Sequence, residues 1–107
     1  MPAITLTRAD EGRTVDVHAG DTVLVRLEEN PTTGYRWAAE AGDDQVVALE
    51  SSDYVQPGSA VGGGGERLFT FRAKKAGSAT VRLKLWREWE GETSVARTFT
   101  VAVRVHV

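Results

Sequence analysis

Cysteine is absent from this sequence of 107 residues, which removes disulfide bonds, thiolate chemistry and cysteine-ligated zinc together. The same absence leaves the redox compartment open, since a domain without cysteine persists on either side of a membrane. Long apolar runs are missing as well. No basic segment followed by an apolar stretch opens the chain, so no signal peptide is read here. The localisation expected is therefore unknown: cytoplasmic, or secreted or periplasmic with the leader outside this sequence. Neither sign of charge dominates, with 13 Lys plus Arg against 15 Asp plus Glu and a formal net charge of -2. The basic residues are scattered along the chain instead of forming a block, so nucleic acid is not an expected partner. Catalytic signatures are lacking too: there is no nucleophile elbow, no phosphate-binding glycine pattern opening a helix and no metal-binding histidine pair. No nucleophile and base can be assembled, so neither an enzyme nor a cofactor is expected.

What is present is ordinary globular material, 41% hydrophobic and 26% charged, which excludes the disordered class and gives no reason to expect membrane insertion. The length suits a single domain spanning residues 1–107. From Ile4 onward the apolar residues recur with period two, and no window carries a helical stripe of ten or more residues. Ile4 and Leu6, Val15 and Val17, then Val23, Val25 and Leu27 each share one face of a short run. Phe69 and Phe71, the series Ala79, Val81, Leu83 and Leu85, and the series Phe99, Val101, Val103, Val105 and Val107 follow the same rule. Turn signals separate these runs every eight to twelve positions, the spacing of an all-β fold. The expected architecture is an immunoglobulin-like antiparallel β-sandwich of two sheets and seven to eight strands, with a small closed barrel as the alternative. The terminal strands invite no obvious edge-to-edge assembly, so a monomer is expected.

Three connections carry more chemistry than linking strands requires. The first is Asn30-Pro31-Thr32-Thr33-Gly34-Tyr35, in which Pro31 fixes its own φ and biases Asn30 toward extended backbone, while Gly34 is free to take positive φ. The second runs through Gly62-Gly63-Gly64-Gly65, and the third through Arg87-Glu88-Trp89. If successive strands alternate in direction, these three emerge at one end of the sandwich, and the plainer turns at 42–44 and 74–77 at the other. Trp89 lies in a polar loop where no strand period forces it inward, so it is read as a contact residue ahead of a lid over the core. Of Tyr35 and Trp37, the inward-facing one anchors the first loop, and Trp86 is expected to stack with Arg82 or Lys84. The pairs Glu28-Glu29 and Asp43-Asp44 read as solvated acids beside turns, and His18 and His106 as outward surface residues with no acid partner implied by spacing.

In order, spacing and overall length, these loops resemble the chagasin-type inhibitors of papain-like cysteine proteases. Their pattern is Asn-Pro-Thr-Thr-Gly-aromatic, then Gly-x-Gly-Gly, then Arg-Pro-Trp; Glu88 stands where the pattern has proline. The resemblance implies an immunoglobulin-like sandwich whose loops at 30–35, 61–66 and 86–91 wedge into the active-site cleft of such a protease. Thr32 and Thr33 would lie over its catalytic cysteine and histidine, Arg87 and Trp89 would grip one rim, and the glycines would let backbone approach the other. The alternative function is a non-inhibitory adhesion or carbohydrate-binding module, suggested by an exposed tryptophan on a β-sandwich, a fold that hosts many functions.

Overall fold

The structure, a computed structural model, describes residues 3–30, 33–40, 44–55 and 65–107. Among the described residues eight strands form: β1 (Ala3–Leu6), β2 (Thr14–His18), β3 (Thr22–Glu29), β4 (Arg36–Ala39), β5 (Val47–Val55), β6 (Gly65–Ala73), β7 (Gly77–Trp86) and β8 (Arg97–His106). All but β4 and β5 lie where the period-two runs predict them. They make two four-stranded sheets, ordered β1-β3-β6-β5 and β2-β8-β7-β4. Alternation places Val23, Val25, Phe69 and Phe71 on the inner face of the first sheet, and Leu83, Phe99, Val101 and Val103 on that of the second, all buried in one core. Trp37, 7% exposed, is the aromatic that faces inward at the loop-bearing end.

The sandwich is as expected, but its sheets are mixed instead of purely antiparallel. β1 pairs with β3 in parallel, and β2 with β8 in parallel, while the other pairs are antiparallel. The cause is topological. β2 sits in the opposite sheet from β1 and β3, so the chain reverses twice between the latter two and they arrive pointing the same way. Among the described residues, short 3₁₀ turns at Arg8–Asp10 and over Glu88–Ser94, the latter kinked at Gly91, interrupt the strands.

Both histidines are exposed, as read from the sequence, and the β2–β8 pairing adds an acid partner for His106. His18 lies opposite His106 and Asp16 opposite Arg104, and the His106 Nε2 stands 2.8 Å from Asp16 Oδ1. Spacing in the sequence could not show a partner 90 residues away. The hydrogen bond from His106, followed by the nearby Arg104 charge, holds the Asp16 carboxyl below its ordinary range. Asp10 is lowered likewise, first by the Thr7 backbone N–H and then by Arg13. A depressed carboxyl supports the fold above its unfolded pKa and loses that support as pH falls through the folded one. Acidification from pH 7 to pH 3 is therefore expected to lower the thermal transition of the native chain more than that of Asp10→Asn, which has no charge to lose there; equal losses would count against this role for Asp10.

The connections sort by sheet. β5–β6 is a hairpin within the first sheet and β7–β8 one within the second, whereas β3–β4 crosses between them. At the opposite end the residue 74–77 turn meets the residue 44–46 turn, where the Lys74 N–H donates to the Val46 carbonyl and Lys75 Nζ to Gln45.

Candidate functional site

Strand register brings the three unusual connections together. Glu29 at the end of β3 lies opposite Gly65 at the start of β6, and Arg36 at the start of β4 lies opposite Trp86 at the end of β7. The cross-sheet connection thus has the glycine-rich one beside its first stem and the tryptophan-bearing one beside its second. Pro31, Thr32, Gly62, Gly63 and Gly64 lie outside the described residues, as does the Asp43 half of the acidic pair at 43–44.

The described part of the first loop is tied internally. The Thr33 N–H and hydroxyl both donate to the Asn30 carbonyl, at 3.2 and 2.8 Å. The Tyr35 N–H in turn reaches Thr33 Oγ1 at 3.3 Å. Thr33 therefore spends its hydroxyl holding the turn. Gly34 takes φ of 80°, the left-handed region where a Cβ is disfavoured. A Cβ there would also stand 2.7 Å from the Cη2 of Trp89. The tryptophan ring of the third loop is thus seated against the backbone of the first, though it stays 73% exposed. At that exposure the ring does not cover the core as a lid.

Arg87 completes the joint. Its Nε and Nη2 donate to the Thr33 carbonyl at 3.3 and 3.2 Å, and its guanidinium lies 4.5 Å from the centre of the Tyr35 ring. The resemblance would have Arg87 grip a partner; here its side chain braces one loop against another. Within the third loop, Ser94 Oγ accepts from the Arg87 N–H at 2.9 Å and lies within hydrogen-bonding distance of the Arg87 and Gly91 carbonyls. This one hydroxyl closes the loop. Glu88 is exposed at the first position of the 3₁₀ helix. Trp86 carries Lys84 Nζ 3.6 Å from its ring centre, so the stacking partner is Lys84 and not Arg82.

The residue that sequence reading missed is Glu29. Its side chain is 1% exposed, not solvated. Oε1 accepts the Trp37 N–H at 2.7 Å and Arg67 Nε at 3.2 Å, while Oε2 accepts Arg67 Nη2 at 2.8 Å. The Trp37 indole Nε1 donates to the neighbouring Glu28 carbonyl. A signal was available: Glu29 continues the inward series Val23, Val25, Leu27, and Arg67 continues Phe71, Phe69. Two opposite charges on the inner faces of adjacent strands predict each other. Gly65 is also recast, because a Cβ there would collide with the Val55 carbonyl oxygen and stand 2.5 Å from Tyr54 Oη. It is required by packing within the domain.

Among the described residues no group of three or more His, Cys, Asp or Glu side chains could hold a metal, and no helix is long and apolar enough to cross a membrane.

Comparison with known proteins places this geometry. Residues 16–103 match the family described as chagasin family peptidase inhibitor I42. Chagasin of Trypanosoma cruzi is 30% identical over 106 residues, covering 94% of this chain and 96% of its own. The crystal structure of a cysteine protease inhibitor from Entamoeba histolytica superposes with a TM-score of 0.88 at 26% identity, covering 99% of this chain and 97% of that one. PbICP-C, solved in complex with falcipain-2, shares the fold at a TM-score of 0.69 and 14% identity, covering 99% and 91% of the two chains.

Proposed function

Because this chain belongs to the chagasin family of peptidase inhibitors, we infer that it inhibits papain-like cysteine proteases reversibly, by inserting its three-loop end into the active-site cleft. The observation that carries the reading is the joint between the first and third loops, where Arg87 holds the Thr33 carbonyl and the Trp89 ring rests on Gly34. Loops already fixed against each other give up little conformational entropy on docking. In this reading Asn30, Pro31, Thr32, Thr33 and Gly34 fill the cleft beside the catalytic groups, with Tyr35 and Arg87 bracing them from behind. Trp89 and Glu88 meet one rim, and residues 62–65 approach the other. An interface of roughly 1,600 Å² in total, standard for protease inhibitors, is within reach of such loops.

Titration of papain with the purified protein tests this. Loss of activity at near-stoichiometric ratios, recovered on dilution, is the expected result, and full activity of papain and several related enzymes in excess protein overturns it.

Glu88 offers a refinement. Arg87 before it is extended, with φ of −98° and ψ of 109°, the backbone a residue preceding proline prefers. Position 88 opens a 3₁₀ helix, where a proline forfeits no intrahelical bond. Glu88→Pro is thus expected to fit without strain, to stabilise the fold by about 0.4–1 kcal/mol through the unfolded chain, and to lower the inhibition constant to the extent that this loop still orders on docking. An unchanged or higher constant, with the melting temperature maintained, would show that stiffness of this loop does not limit binding.

A further inference from the structure

Glu29 is the buried charge among the described residues, and its partners trace a path between two loops. It is the last residue of β3, where the chain enters the first loop, and Trp37, whose N–H it accepts, stands just past the exit. Arg67, its bidentate partner, is on β6 just beyond the glycine-rich connection. The Arg67 guanidinium lies 5.7 Å from the centre of the Tyr54 ring on β5, the strand that enters that connection. The Tyr54 ring and the Val55 carbonyl close on Gly65 so tightly that no Cβ fits. Carboxylate, guanidinium, phenol and glycine therefore join both stems of one loop to both stems of the other.

Apolar side chains of similar size commonly hold a core as well as a buried ion pair does. What they lack is direction, which a two-pronged guanidinium–carboxylate contact supplies. We propose that Glu29 and Arg67 are a positioning pair: they fix the distance between the stems of the first loop and lock the stems of the glycine-rich connection to them, so that the two sets of stems meet a protease as one body. The pair touches no partner itself and acts through the turn it holds. Its consequence for inhibition rests on the function proposed above.

The test has two arms, run on Glu29→Gln and on the milder Arg67→Lys, which keeps the charge and loses the fork. In the free protein, residue-by-residue amide hydrogen exchange is expected to quicken by about tenfold or more, an opening cost of at least 1.4 kcal/mol. The change should appear at residues 33–37 and 65–67 together while the amides of β7 and β8 hold. Acceleration confined to one loop, or spread evenly over the domain, overturns the coupling. Against papain, at a temperature where both variants are folded, the inhibition constant should rise about tenfold or more; loosened loops with an unchanged constant overturn the positioning role in binding. If the native chain leaves papain untouched, the protease reading fails, and the exchange arm still decides whether the pair couples the loops. Should Glu29→Gln not fold, Arg67→Lys carries both arms.

Discussion

Arg67→Ala is expected to lower the thermal transition by about 12–20 °C. Removing one partner of a buried ion pair costs about 3–5 kcal/mol, because the charge left behind has neither water nor a counterion. For a domain of this size each kcal/mol moves the midpoint by about 4 °C. Both side chains are well covered, Arg67 at 14% exposure and Glu29 at 1%, so solvent screening does not excuse them as it would a surface pair. A typical domain has only about 5–15 kcal/mol to lose. The companion experiment is the double replacement Glu29→Leu with Arg67→Met, which removes both charges and keeps the volume. It should recover most of the lost stability, yet remain a poorer inhibitor than the native chain, because apolar contact does not fix the stems in one orientation. A shift under about 4 °C for Arg67→Ala would place the pair with surface contacts, and full inhibition by the double variant would assign it to stability alone.

The strands were legible because a half-buried strand writes its two faces into alternate residues. Val81, Leu83 and Leu85 against Arg82 and Lys84 need no long-range information, and β7 forms there. The shared end of the three loops was legible too, since strand direction alternates whatever sheet a strand joins. Parallel pairing of β2 with β8 was not, because it depends on which sheet each strand enters, and that is settled by contacts distant in the chain. The His106–Asp16 contact was hidden for the same reason. At the site, motif residues were visible and their division of labour was not. Arg87 and Gly65 look like contact residues in the sequence, and their partners, the Thr33 carbonyl, Tyr54 and Val55, become neighbours only once the sheets form. Glu29 carries two conflicting signals: beside Glu28 it resembles a solvated pair, and only its phase with Val23, Val25 and Leu27 marks it as inward.

Trp89→Ala is expected to leave the thermal transition within a few degrees of native and to weaken protease inhibition by roughly 30- to 1,000-fold, the range of a tryptophan hot spot worth about 2–4 kcal/mol. The two readouts separate because the ring is 73% exposed. Little of its surface is withdrawn from water on folding, and the apolar remainder is available to a partner. An unfolded variant would return Trp89 to the role of a lid, and a folded variant with native inhibition would remove it from the interface. The ring is not free-standing, however, since its edge lies against Gly34. Gly34→Ala retains the indole but places a Cβ 2.7 Å from Cη2 and strains a backbone at φ of 80°. If the tryptophan acts from a seat on the first loop, this methyl should reproduce a large part of the Trp89→Ala defect with the ring still present. If the indole docks on its own, Gly34→Ala should weaken inhibition only as far as it disturbs the turn, and its combination with Trp89→Ala should be additive. A combined loss smaller than the sum of the two is the expected result, because residues in contact share one interaction energy.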